Sequence, residues 1–161
     1  MKVYIDTCVI SGFAKGELST QEAEAFSILL KLHADGSVIL VTSTVAKEEI
    51  SRIPQEYRAP HESVYAQLED IPAVGYLTLD LGFGIHLLGV KQHSIYRSLT
   101  KLLKDTGDAQ HLYQAHREMA SNFITVDAKT ILSKAHEIDK VCNVEVLLPS
   151  TFVEKFMASV G

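Results

Sequence analysis

A chain of 161 residues can close one hydrophobic core unaided, burying roughly 70% of its unfolded surface. With 47% hydrophobic and 22% charged residues, its composition is that of a folded globule, which excludes disorder along the whole chain. Fifteen basic against twenty acidic side chains leave a formal charge of −5, which excludes a grip on nucleic acid built mainly on a basic surface but not an enzyme that meets phosphates through bound cations.

In chain order, Val3-Tyr4-Ile5 is a short β-rich run that ends on Asp6. A loop with Gly12 and Gly16 follows, and Ser19-x-x-Glu22 forms a capping box for a helix carrying Ala23, Phe26, Leu29, Leu30 and His33. Val38–Val41 is a continuous apolar strand of the kind covered on both faces. Ser43 or Thr44 caps a helix with Val45, Glu48, Glu49 and Ile50, which Pro54 breaks. Pro60 and mixed charges mark residues 55–64, and Val64, Leu68 and Ile71 suggest a helix. A strand is expected at Val74–Leu79, then a glycine-rich stretch with Gly82, Gly84 and Gly89. Ile95, Leu99, Leu102 and Leu103 mark a helix running to Gly107. Asp108 opens the next, with Ala109, Leu112, His116 and Met119 on one stripe. Asn122–Val126 is a strand ending on Asp127, Ala128–Ala135 a helix and Val144–Leu148 a last strand. Thr151-x-x-Glu154 caps a short terminal helix. Alternating strands and helices predict a single α/β domain over residues 1–161, a parallel sheet covered on both faces.

No apolar run approaches the roughly 20 residues that cross a bilayer, and Asp6 comes too early for a signal-peptide core. Cys8 and Cys142, without any Cys-x-x-Cys, read as small buried hydrophobes of a reducing cytoplasm, although composition leaves a disulfide between them open.

Placed on this map, Asp6 and Asp127 each end a strand, Asp108 starts a helix and Glu49 rides on one. In open α/β sheets ligands gather beyond the carboxyl ends of the strands, where Asp6 and Asp127 meet if their strands are neighbours. Two carboxylates about 4 Å apart repel by roughly 4 kcal/mol at an effective dielectric of 20, so a cluster needs a shared proton or cation. Oxygen ligands without a Cys/His set suit Mg²⁺ or Mn²⁺ and point away from zinc.

Four segments resemble the PIN-domain ribonucleases: Val3–Ile10 around Asp6, Ser43–Ile50 with Glu49, Gly107–Leu112 with Asp108, and Ile124–Asp127 with Thr125 at the family's hydroxyl position. The ending Val146–Phe152 is also similar. The likeness covers residues 1–50 and 105–156 and leaves 51–104 unmatched. Cys8 departs from the Asn often found there. The resemblance implies a three-layer α/β/α PIN-like fold with an acidic pocket at one sheet edge. It further implies Mg²⁺- or Mn²⁺-dependent hydrolysis of RNA, with Asp6, Glu49, Asp108 and Asp127 as metal ligands and Thr125 assisting catalysis. Many small members are dimeric toxins of bacterial toxin–antitoxin pairs, so a homodimer and an antitoxin protein are expected partners.

Other readings fit less well. A phospho-aspartate receiver needs an acidic pair after the first strand, where Thr7 follows Asp6, and a haloacid-type phosphatase needs Asp-x-Asp, where Cys8 stands. A PIN-like fold that only binds protein or RNA is the alternative from a different class. The seven histidines are scattered, and His111 with His116 misses the i, i+4 spacing of a helical metal pair. Lys91, Arg97, Lys101 and Lys104 read as a solvated helix face, the alternative being contact with RNA backbone.

Overall fold

Short strands covered on both sides leave continuous apolar runs in the sequence, and the sheet is built from them. The computed structural model describes residues 1–71 and 86–161. Its strands β1 (Lys2–Ile5), β2 (Ile39–Ser43), β3 (Glu69–Ile71), β4 (Asn122–Ile124) and β5 (Glu145–Leu147) form one sheet in the order β3-β2-β1-β4-β5. Every neighbouring pair is parallel. The helices are α1 (Thr7–Lys15), α2 (Thr20–Ala34), α3 (Thr44–Ser51), α4 (Gln55–Tyr65), α5 (His86–Leu103), α6 (Thr106–Arg117), α7 (Ala135–Cys142) and α8 (Pro149–Val160).

Register sorts the strand residues onto two faces. Tyr4 stands beside Val41 and Phe123, and Phe123 beside Val146; this row packs with Leu99 and Leu103 of α5, Leu112 of α6 and Ile138 of α7. Tyr4 and Phe123 stack with ring centres 5.3 Å apart. On the other face Val3, Ile5, Leu40, Ile124 and Leu147 pack with Val9 and Ile10 of α1, Phe26 and Leu29 of α2, Ile50 of α3 and Phe152 of α8. The result is the expected three-layer α/β/α architecture with a central parallel sheet. No helix among the described residues is long and apolar enough to cross a membrane. The sheet grows outward from β1 in both directions, to β2 on one side and β4 on the other. The carboxyl ends of β1 and β4 therefore flank the switch point at which a crevice forms.

Several elements differ from their sequence expectation. The loop around Gly12 is α1, and Gly12 is small because Leu18 packs on it: a Cβ there would come within 2.6 Å of the Leu18 side chain. Gly16 ends the helix with φ 67°, the left-handed conformation that glycine adopts without penalty. Pro60 lies inside α4, exposed, while Leu68 precedes β3 and Ile71 closes it. A three-residue edge strand is too short to show a period. The strand expected at 74–79, with Gly82 and Gly84, lies outside the described residues. α5 ends at Leu103, Lys104 turns the chain at φ 65°, and α6 starts at Thr106 with Asp105 as its cap, so Asp108 lies in the first turn instead of opening the helix. Met119 falls beyond α6 and is 85% exposed. Residues 128–131 form no α-helix; a 3-10 turn at Leu132–Lys134 leads into α7.

The capping box at α2 is half formed. Ser19 accepts the Glu22 N–H, but the Glu22 carboxylate accepts from the Ser150 N–H at 2.9 Å and the Ser150 hydroxyl at 2.7 Å. Glu22 thereby holds the N-terminus of α8, which begins at Pro149 and not at Thr151.

Candidate active site

β1 and β4 run in register, Ile5 beside Ile124, so the next residues, Asp6 and Thr125, emerge side by side at the carboxyl edge. The Asp6 N–H closes the ladder on the Ile124 carbonyl at 3.0 Å. Asp6 occupies the N-cap position of α1, where an Asp side chain usually accepts from the helix's own N–H groups. Here it makes no such bond. Its Oδ2 instead accepts from the Thr125 hydroxyl at 2.7 Å and from the Cys8 thiol at 3.0 Å. Thr125 is fully buried, and its oxygen in turn accepts the Asp127 N–H at 3.1 Å. One hydroxyl thus joins the acids at the ends of β1 and β4. The Cys8 thiol is pushed well up by burial and then by the Asp6 charge, so it stays a thiol that donates. Cys8 and Cys142 are both free, which closes the question of a disulfide.

β2 brings the next group. Ser43 caps α3 by accepting the Val45 N–H at 3.3 Å. On α3, Ala46 and Ile50 are buried, Glu48 is exposed, and Glu49 is half-buried toward the sheet edge. Glu49 Oε2 lies 3.1 Å from His111 Nε2. Burial pushes the Glu49 carboxyl up, but the His111 hydrogen bond and charge, the Thr7 hydroxyl and Arg52 outweigh it and hold the pKa below its ordinary value. His111 of α6 is 2% exposed and touches three other elements. Its Nδ1 is 2.8 Å from the Tyr4 hydroxyl on β1, and its Nε2 is 3.2 Å from the Thr7 hydroxyl on α1. Burial acts to lower its pKa, yet the Glu49 bond and the charges of Asp6, Glu49 and Asp108 together raise it.

Asp105 caps α6, accepting the N–H of Gly107 at 2.7 Å and of Asp108 at 3.2 Å. That cap sets Asp108, half-buried in the first turn, beside the other acids. Burial, and then the charges of Asp105, Asp6 and Asp127, push its pKa from 3.8 up to about 6, against a lowering bond from the Thr130 hydroxyl. Asp127 is committed to its own loop: Oδ1 accepts the N–H groups of Lys129 and Thr130, and Oδ2 accepts the Thr130 hydroxyl. Burial raises its pKa, but these bonds win and hold it below the ordinary value. A Cβ on Gly107 would stand 3.5 Å from Glu49 Oε1, so α6 and α3 approach closely across the pocket.

The five residues expected at the site, Asp6, Glu49, Asp108, Thr125 and Asp127, therefore lie around one edge of the sheet. Among the described residues, no three His, Cys, Asp or Glu side chains form a group that could hold a metal ion. The donor chemistry nonetheless fits a small hard cation that keeps part of its water shell and meets carboxylates through it. The charge on Asp108 is opposed by those of Asp105, Asp6 and Asp127. Residues that periodicity did not mark are Tyr4, Thr7, Cys8, Thr130 and above all His111, whose available signal was its place three residues after Asp108, on the same helix face. Arg97, Lys101 and Lys104 are exposed on and just beyond α5, and the Lys91 side chain lies outside what is described. No protein-family model matches the chain, and no curated protein matches it.

Proposed function

We propose that the chain is a PIN-type endoribonuclease that hydrolyses RNA phosphodiester bonds at this acidic edge with Mg²⁺ or Mn²⁺. The observation that carries the reading is the geometry of the edge: Asp6 and Thr125 emerge side by side at the switch point of the parallel sheet, Thr125 joins Asp6 to the Asp127 backbone, and the charges of Asp105, Asp6 and Asp127 act on Asp108. The four PIN-like motifs contribute Asp6, Glu49, Asp108 and Asp127 in the family's order. When bound, the cation supplies a polarised water and offsets charge building on the phosphate. Asp6, Glu49 and Asp108 would hold it, directly or through water, with Asp127 beside them.

The chain's own residues preorganise the edge. Thr125 and Cys8 keep Asp6 in one rotamer by donating to one oxygen. His111 donates to Glu49 Oε2, and the Thr7 hydroxyl also bonds to that carboxylate. Asp108 holds a proton on its carboxyl up to about pH 6 in the metal-free protein, and cation binding is coupled to its loss. RNA is the substrate in this reading, and the resemblance extends it to a toxin blocked by an antitoxin protein and active as a homodimer.

One observation favours a second reading, a fold that binds protein or RNA without cleaving: the described side chains form no closed set of three metal donors. Melting with and without divalent cations separates the two. A cation that binds only the folded state stabilises it by about 2.7 kcal/mol at one hundred times Kd. Millimolar Mg²⁺ or Mn²⁺ raises the melting temperature and EDTA reverses it. An absent shift, in protein freed of copurified ions, supports the binding module.

A further inference from the structure

We infer that His111 is the positioning residue of Glu49, aiming its carboxylate from the end of a chain of hydrogen bonds that begins at the cap of the same helix. The inference rests on the proposed metal-dependent reading of the site and adds a residue to it.

The direction of the last link follows from what each atom can do. An ionised carboxylate accepts and cannot donate, so the proton between Glu49 Oε2 and His111 Nε2 sits on the histidine. On the other side of the ring Nδ1 meets the Tyr4 hydroxyl at 2.8 Å, accepting from it in the neutral Nε2–H tautomer and donating to it in the imidazolium, while the Nε2–H donates to Glu49 in both. The Tyr4 oxygen shares a further hydrogen bond with the Ser43 hydroxyl at 2.7 Å. The Ser43 oxygen accepts from the Val45 N–H in the first turn of α3. The hydrogen bonds run in sequence through Val45, Ser43, Tyr4, His111 and Glu49. The route starts and ends on α3 and passes through β1 and α6 between, so it ties the three elements together at the site. Thr7 supports its last link from α1.

The burial of these groups argues for a dedicated arrangement. Tyr4 and Ser43 are fully buried and His111 is 2% exposed. Three buried polar side chains in a row are costly unless each is satisfied, and the described structure leaves no buried side-chain nitrogen or oxygen without a partner. A hydrophobic trio would pack the same space. What the polar trio adds is an N–H donor fixed in front of a half-buried carboxylate at the pocket. Groups that orient a metal ligand in this way change metal affinity or activity by about 10- to 100-fold when removed.

The test uses the full chain and Mn²⁺ alone, measured by calorimetry, on wild type, His111→Leu, His111→Gln and His111→Asn. A glutamine amide can set its nitrogen near the place of Nε2, whereas the shorter asparagine cannot. Mn²⁺ affinity is expected to fall about 10- to 100-fold in His111→Leu and His111→Asn, and to recover to within about threefold of wild type in His111→Gln. Should His111→Leu not fold, the Gln and Asn variants alone decide the matter. Mn²⁺ binding by wild type with equal affinity in all variants overturns the positioning role and leaves the metal site standing. No Mn²⁺ binding by wild type overturns both. Ring ¹⁵N shifts of the metal-free protein give a separate readout: a proton on His111 Nε2 supports the chain, and an Nδ1–H tautomer with a bare Nε2 overturns it.

Discussion

Thr125 and Asp6, on adjacent strands at the same height of the sheet, are joined by a 2.7 Å hydrogen bond in which the hydroxyl donates to the carboxylate. Because the same oxygen accepts the Asp127 N–H, Thr125 sets the spacing between two acids contributed by segments far apart in the chain. That coupling makes it the most informative single side chain of the edge.

Replacing Thr125 by Val keeps the shape and deletes its bonds to Asp6, to the Asp127 N–H and to the Cys8 sulfur. Asp6 Oδ2 keeps the Cys8 thiol, and the Asp127 N–H loses this acceptor. A hydrogen bond to a charged group contributes about 1.5–3 kcal/mol, so Thr125→Val is expected to be destabilised by that amount in urea unfolding at neutral pH. Thr125→Ser restores most of the loss. Equal stability of all three proteins contradicts the arrangement.

The Asp108 carboxyl gives a pH dependence of known sign. Its pKa is raised from 3.8 to about 6 in the folded chain, so the folded state binds the extra proton more tightly than the unfolded state. The stabilisation from this group is complete below about pH 4 and is lost as pH rises through about 6. Asp108→Asn removes the titration. In EDTA the variant is expected to melt above wild type at pH 7.5, and the advantage shrinks toward pH 4. Melting curves from pH 4 to 8 check this.

Asp105 separates capping from charge. Its carboxylate caps α6 and is also the first neighbouring charge that raises the Asp108 pKa. Asp105→Ala is expected to cost about 1 kcal/mol through the lost cap and to lower the Asp108 pKa. Asp105→Asn keeps an acceptor and is expected to lower the pKa with little loss of stability. Carboxyl ¹³C titration with parallel unfolding curves separates the two effects.

Glu48 and Glu49 are neighbours with opposite fates, one exposed and one bonded to His111. Glu49→Gln is expected to abolish cleavage and weaken Mn²⁺ binding. Glu48→Gln is expected to leave both as in wild type and to change stability by no more than about 0.5 kcal/mol. Loss in both variants contradicts the assignment.

The architecture was legible because its strands are apolar runs between helices of clear period, and the acids were legible because Asp6 and Asp127 terminate two of those runs. Helix phase favours Glu49 over Glu48, since Glu49 stands four residues after Val45 and next to the buried Ile50. His111 was not legible. Its partners Tyr4, Thr7 and Glu49 lie 107, 104 and 62 residues away in the chain, and a polar residue beside an apolar stripe looks like the edge of a solvated face. The start of α6 was misplaced for a local reason: Asp105 and Asp108 are both good cap residues, and only the turn at Lys104 selects the first.

The most direct test is cleavage of a fluorescently labelled single-stranded RNA by wild type and Asp6→Asn, each purified free of host nucleases. The account expects internal cleavage by wild type with Mg²⁺ or Mn²⁺, none in EDTA, and loss of activity in Asp6→Asn with its fold retained by circular dichroism. Cleavage by Asp6→Asn at the wild-type rate, or wild-type cleavage undiminished in EDTA, would contradict it.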